Sequence, residues 1–157
     1  MSATPPPSAA PLLPLSPAEE SVARAMGRLM QVLGRTLDAD LEREQRMSLS
    51  EYNVLRHLSE HADRRMRMSE LAAACDMSLS GMTRLAGRLE SGGFLQRVPC
   101  PNDARGANAV LTDAGLARLE QAWPTHLASI RRHVFDHLDG MDLCALARAL
   151  NAMATDT

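Results

Sequence analysis

The feature that most constrains this chain is the run from Ser69 to Thr112, which reads as helix, tight turn, helix, stop and hairpin. Ser69 is placed to cap a short helix with Leu71, Ala72 and Cys75 on its apolar face. After Asp76-Met77, Ser78 is placed to cap a second helix, Leu79 to Ser91, with Met82, Leu85, Ala86 and Leu89 inward. Gly92-Gly93 stops it. Phe94 to Val98 and Ala107 to Leu111 then flank a loop rich in Pro, Gly, Asn and Asp, the pattern of a β-hairpin. A helix-turn-helix offers the start of its second helix to the major groove of DNA, which is wide enough to admit it. Here that start is Ser78, Leu79, Ser80, Gly81, Met82, Thr83 and Arg84. Small hydroxylated side chains suit close approach, and an arginine can reach a guanine edge. Leu85 and Leu89 face the core, which leaves Arg84 and Arg88 outside, and Arg105 at the hairpin tip is placed for the flanking minor groove with Asp103 to orient it.

The flanking segments are helical. Residues 1–16 hold five of the nine prolines and read as an extended or disordered arm. Ser16-Pro17-Ala18-Glu19 is a helix start, and Val22, Met26, Leu29, Leu33, Leu37 and Leu41 continue an amphipathic helix over roughly 18–44. Ser50 is expected to cap the next helix, in which Tyr52, Val54, Leu55 and Leu58 are spaced for burial, and Met66-Arg67-Met68 is a weak strand candidate. Thr112 should cap a long helix that Pro124 kinks or interrupts. Beyond Gly140, Leu143, Leu146, Leu150 and Met153 form a stripe suited to a partner helix.

Composition narrows the function. The four aromatic residues, Tyr52, Phe94, Trp123 and Phe135, are too few for a stacking platform on single-stranded nucleic acid. The formal charge is −2, yet residues 56–105 carry eight Arg against six acids, so the positive charge is local. No membrane span, signal peptide, Gly-rich phosphate loop or nucleophile elbow is evident, so a cytoplasmic, non-enzymatic protein without cofactor is expected. Cys75, Cys100 and Cys144 match neither a disulfide framework nor a zinc site; Cys75 and Cys144 lie on apolar faces as core residues, whereas Cys100, between two prolines of the hairpin, is expected to be exposed. His57/His61 and His133/His137 are spaced to share a helix face, but no further ligand completes a metal site.

Taken together, Ser69-Glu70-Leu71-Ala72, Ser78-x-Ser80-x-x-Thr83-Arg84-Leu85-x-x-Arg88-Leu89-Glu90-x-Gly92-Gly93-Phe94-Leu95-x-Arg97, Asp103-x-Arg105 and Leu111-Thr112-x-x-Gly115 closely resemble the MarR family of transcriptional regulators, over about residues 18–155. The resemblance implies a mainly α fold: a winged helix-turn-helix with a small β-hairpin wing, and long terminal helices forming a dimerisation region. The corresponding divisions are an arm over 1–16, a dimerisation helix over 17–48, the DNA-binding region over 49–112 and a helical dimerisation region over 113–157. It implies a homodimer on double-stranded DNA, with Ser78, Ser80, Thr83, Arg84 and Arg88 on the recognition helix and Asp103 and Arg105 in the wing. It also implies a cleft bounded by the first, second and fifth helices for a small effector. Trp123, His126 and Arg131 are candidates to line such a cleft, pairing apolar surface with a cationic anchor for an aromatic or anionic molecule. The chain departs from the common pattern at Leu79, where a polar or basic residue is frequent, at Gly87, often acidic, and at Ala104, often Arg. A protein-interaction module without DNA binding, and a redox-responsive regulator using Cys100, are the alternative readings.

Overall fold

The computed structural model describes residues 13–100 and 103–155, with side chains for all of these except 103–105. Six α-helices and a three-stranded sheet follow in the order α1 (Pro17–Gln45), α2 (Leu49–Glu60), β1 (Arg65–Arg67), α3 (Met68–Ala74), α4 (Leu79–Ser91), β2 (Leu95–Cys100), β3 (Asp103–Leu111), α5 (Asp113–His133), a 3₁₀ turn (Phe135–His137) and α6 (Leu143–Thr155). The chain forms two units, divided between Leu33 and Gly34.

The first unit contains the opening turns of α1. The Ser16 amide donates to Glu19 Oε2 at 2.7 Å and the Glu19 amide to Ser16 Oγ at 3.3 Å, the reciprocal cap read from the sequence. Val22, Leu29 and Met30 are exposed here. The expected Pro-rich arm lies, apart from residues 13–16, outside the described residues.

The second unit holds the core. Leu41, Tyr52, Val54, Leu55, Leu58, Leu71, Met82, Leu85, Ala86, Leu89, Leu95, Leu111, Leu119 and Ala122 form one buried cluster. Four leucine-sized side chains from α4 and β2 alone, each removed from water for about 2 kcal/mol, make this cluster the main source of stability. The sheet order is β1-β3-β2, antiparallel throughout. Met66 opposes Ala109 and Leu95 opposes Leu111, so the inward residues of the strands pair on one face. The register shifts between Pro99 and Cys100. A bulge there fits a strand segment that cannot donate at Pro99.

Several expectations are corrected. Ser48, not Ser50, caps α2: its hydroxyl accepts from the Glu51 amide at 3.2 Å while Glu51 accepts from the Ser48 amide at 3.1 Å. Only Ser48 has a Glu three residues on, which decides the cap. Likewise α3 begins at Met68 behind Arg67, whose amide donates to Glu70 Oε2 at 3.3 Å, so Ser69 lies inside the first turn. Pro124 does not interrupt α5. Both Pro124 and Glu120, whose carbonyl loses its donor, are exposed, so water can satisfy that carbonyl. The 3₁₀ turn after α5 was not foreseen.

Candidate nucleic-acid interface

The turn between α3 and α4 depends on Asp76, which sits at φ 53°, a left-handed conformation that a short polar residue tolerates. The Met77 amide donates to the Ala72 carbonyl at 2.8 Å and closes the turn. Ser78 caps α4 as expected, its Oγ accepting from the Gly81 amide at 3.2 Å. Ser80 Oγ lies 3.2 Å from Ser78 Oγ, and Thr83 Oγ1 donates to the Leu79 carbonyl at 2.8 Å. The inward face of α4 is Met82, Leu85, Ala86 and Leu89; Ser78, Leu79, Ser80, Thr83, Arg84 and Arg88 are all exposed. Among the described residues Arg84 has no ion-pair or hydrogen-bond partner. Arg88 lies 3.7 Å from Glu51 with 63% of its side chain exposed, a loose pair that leaves it available.

The far end of α4 is tied to the hairpin by contacts that sequence reasoning missed. Gly93 at φ 77° ends the helix, and the Phe94 amide returns to the Leu89 carbonyl at 2.9 Å. Glu90 then receives the Arg97 amide at 2.9 Å, Arg97 Nε at 2.8 Å and Arg97 Nη2 at 2.6 Å. These contacts hold the Glu90 carboxyl below its usual range, chiefly through the backbone bond. The fork fixes the first strand of the hairpin to α4 and neutralises the one acidic residue of that helix. The signal was present, since Glu90 and Arg97 both belong to the motif, but their seven-residue separation across a turn concealed the pairing. Thr112 closes the other side, donating Oγ1 to the Gly93 carbonyl at 2.7 Å while capping α5 through Gly115.

The backbone of β3 begins at Asp103, which places Asp103 and Arg105 at the hairpin tip, but their side chains lie outside the described residues. Cys100 corrects an expectation: it is buried, and its thiol donates to Asn108 Oδ1 at 3.3 Å across the hairpin. The pairing of β2 with β3 turns this position inward, which removes the exposed thiol that a redox reading required. Cys75 is partly buried against the core, where burial pushes its thiol up. Cys144 is exposed, because α6 has no buried residue.

The expected cleft residues divide between two places. Trp123 lines a hollow of about 370 Å³ with Arg56, Ser59 and Glu60 of α2 and Leu119 and Glu120 of α5. His126 stands beside it, its ring 6.4 Å from Trp123 and stacked at 4.3 Å on Tyr52. Burial lowers the His126 pKa and pushes Tyr52 up to about 12. Tyr52 Oη and His126 Nδ1 are buried without a hydrogen-bond partner among the described residues. Arg131 instead borders a second hollow of about 300 Å³ with Leu127, Phe135 and Leu143. Arg56, the cation that does reach the first hollow, donates to Glu60 at 2.7 Å and was not singled out in the sequence. Among the described residues no three His, Cys, Asp or Glu side chains gather as a metal site, and His133 is engaged by Asp40 instead, at 3.1 Å. No described helix is long and apolar enough to cross a membrane.

A three-stranded sheet, a tight-turned helix pair and an outward face of hydroxyls and arginine define a winged helix-turn-helix protein. The chain belongs to the MarR family of transcriptional regulators: residues 47–106 match a model of that family, and two solved MarR regulators are about a third identical to it over 91% of its length. The structure resembles AbsC, a MarR family transcriptional regulator from Streptomyces coelicolor, with 35% identity, 91% of this chain and 96% of that chain covered, and a TM-score of 0.80. It is equally similar to Sco3205 from the same organism, solved in complex with DNA, with 33% identity, 91% and 90% coverage and a TM-score of 0.81. The transcriptional regulator PecS of Dickeya dadantii (strain 3937) is 28% identical over 107 residues, a match that spans 68% of this chain and 64% of PecS.

Proposed function

We propose that this chain acts as a homodimer that binds a pseudo-palindromic operator in double-stranded DNA, with half-sites about one helical turn apart, and so regulates transcription. The observation that carries the reading is the outward face of α4, where Arg84 is exposed and without a partner among the described residues, beside the hydroxyls of Ser78, Ser80 and Thr83. An arginine held on a rigid helix near its N-terminus has the geometry for a bidentate guanine contact. Arg88 contacts phosphate, and Arg105 enters the flanking minor groove with Asp103 as its support. The similar protein Sco3205, solved in complex with DNA, supports DNA as the partner.

The homodimer draws support from α6, thirteen residues with none buried, whose Leu143, Leu150 and Met153 are each about half exposed. A helix that short is marginal by itself and gains its stability from packing. The partner subunit's surface supplies that packing, so residues 17–48 and 113–157 form the dimerisation region around a DNA-binding region at 49–112. A small aromatic or anionic effector occupies the hollow beside Arg56 and Trp123, with His126 at its edge, and shifts the spacing of the two recognition helices. The action is binding without turnover.

Arg84→Ala, Arg105→Ala and their double mutant test the contact set by fluorescence anisotropy on a selected operator. Each single change is expected to weaken binding about ten-fold or more with the fold retained. Retained affinity in all three would reject these contacts.

A further inference from the structure

On a helix advancing about 100° per residue, Leu79 and Thr83 lie within about 40° of each other and form one strip of α4, while Ser80 and Arg84 form the strip beside it. Leu79 is 55% exposed, and the burial of α4 is carried without it by Met82, Leu85, Ala86 and Leu89. A single exposed leucine is ordinary on a protein surface. This one differs in its neighbours. Thr83 Oγ1 spends its hydrogen on the Leu79 carbonyl at 2.8 Å, so Thr83 has no donor left and presents its methyl beside an oxygen that can only accept. Ser78 and Ser80 have their hydroxyls 3.2 Å apart, with Ser78 also accepting from Gly81. Gly87 follows on the same face, and a Cβ added there would meet nothing within 4 Å. The surface around Leu79 therefore combines an exposed leucine, a threonine methyl and the bare backbone of Gly87, bordered by a guanidinium without a partner among the described residues.

In the major groove the thymine C5-methyl is the apolar group that a base edge offers, and the guanine O6 and N7 pair is the bidentate acceptor for arginine. We propose that Leu79, with the methyl of Thr83, reads thymine C5-methyl groups in each half-site, next to a base contacted by Arg84. The inference rests on the reading that α4 enters the major groove. It makes Leu79 a determinant of sequence preference where a polar side chain would recognise a different edge, and it predicts half-sites in which thymine adjoins guanine.

The test separates the methyl from the rest of the base. Operators selected by the wild-type dimer are resynthesised with each thymine replaced singly by deoxyuridine, which deletes only the C5-methyl, and affinities are measured by anisotropy. At one thymine or more per half-site the wild type is expected to lose about four-fold, the value of one buried methyl-sized group. Leu79→Ala should bind the parent operator more weakly by at least that factor and be indifferent to deoxyuridine at the same position. Thr83→Ser, which keeps the hydroxyl bond to Leu79 and removes the methyl, should show a reduced penalty. Both side chains are exposed, so circular dichroism and melting temperature should match the wild type. Absence of any deoxyuridine penalty, or the same penalty in Leu79→Ala, overturns the assignment while leaving operator binding intact. Failure of the wild type to select any sequence would instead reject the operator reading, and the methyl assignment with it.

Discussion

Replacing Asp40 by Asn tests how α1 is held to α5. Asp40 is 4% exposed and accepts from Ser129 Oγ at 2.5 Å, from Arg43 at 2.7 Å and from His133 Nε2 at 3.1 Å, with Arg132 at 3.7 Å. Ser129, itself fully buried, is the largest influence holding the carboxyl at about 2, against an ordinary 3.8. A carboxyl depressed in the folded state contributes stability that is fully present above the unfolded value and is lost as pH falls through the folded one. From these two values the contribution is about 2 kcal/mol at pH 7. Asn keeps the shape, removes the charge and turns an amide donor toward groups that are themselves donors. Asp40→Asn should therefore lose about 2 kcal/mol in urea unfolding at pH 7, at fixed protein concentration because the stability of the proposed dimer would depend on it. About 1 kcal/mol of the difference should disappear between pH 5 and pH 3, below the ordinary histidine range, where Arg43 and Arg132 stay charged. A difference under about 0.5 kcal/mol at pH 7, or one that does not change between pH 5 and pH 3, would refute this account.

Three further changes probe the elements that place the recognition helix. A Cβ on Gly115 would overlap the Phe94 carbonyl oxygen and approach Leu111 Cδ1 to 2.7 Å, so Gly115→Ala should destabilise by about 3 kcal/mol or more in chemical denaturation. Gly87→Ala meets nothing within 4 Å and should gain about 0.5–1 kcal/mol in thermal unfolding while weakening operator binding, since the added methyl lies on the outward side of α4 that we propose faces DNA. Ser78→Ala should cost about 1 kcal/mol, whereas Ser69→Ala, inside the first turn of α3, should be nearly neutral in the same unfolding assay.

Much of this architecture was legible because helix periodicity and capping act locally. The spacing of Tyr52, Val54, Leu55 and Leu58, and of Met82, Leu85 and Leu89, placed the core, and Ser78 and Thr112 marked their helix starts. Ser50 and Ser69 each offer a hydroxyl with no glutamate three residues on, whereas the glutamates at 51 and 70 select positions 48 and 67. Asp40 and Ser129, 89 positions apart, meet only through packing of α1 on α5, and no local pattern announces that. Cys100 was misplaced for a similar reason: proline neighbours suggest an open loop, while pairing with β3 carries it inside. In the recognition helix the residues were readable, but which hydroxyls were already engaged, and so which groups Leu79 and Thr83 present, required the structure.

The central claim is recognition of a duplex sequence by α4 and the wing. Selection of bound duplexes from a random library, followed by affinity measurement across a salt series, tests it most directly. The account expects an enriched palindrome and a logarithmic affinity that falls steeply with the logarithm of salt concentration, by about 0.9 per neutralised phosphate. A folded protein that enriches no sequence and binds DNA with no salt dependence would contradict it.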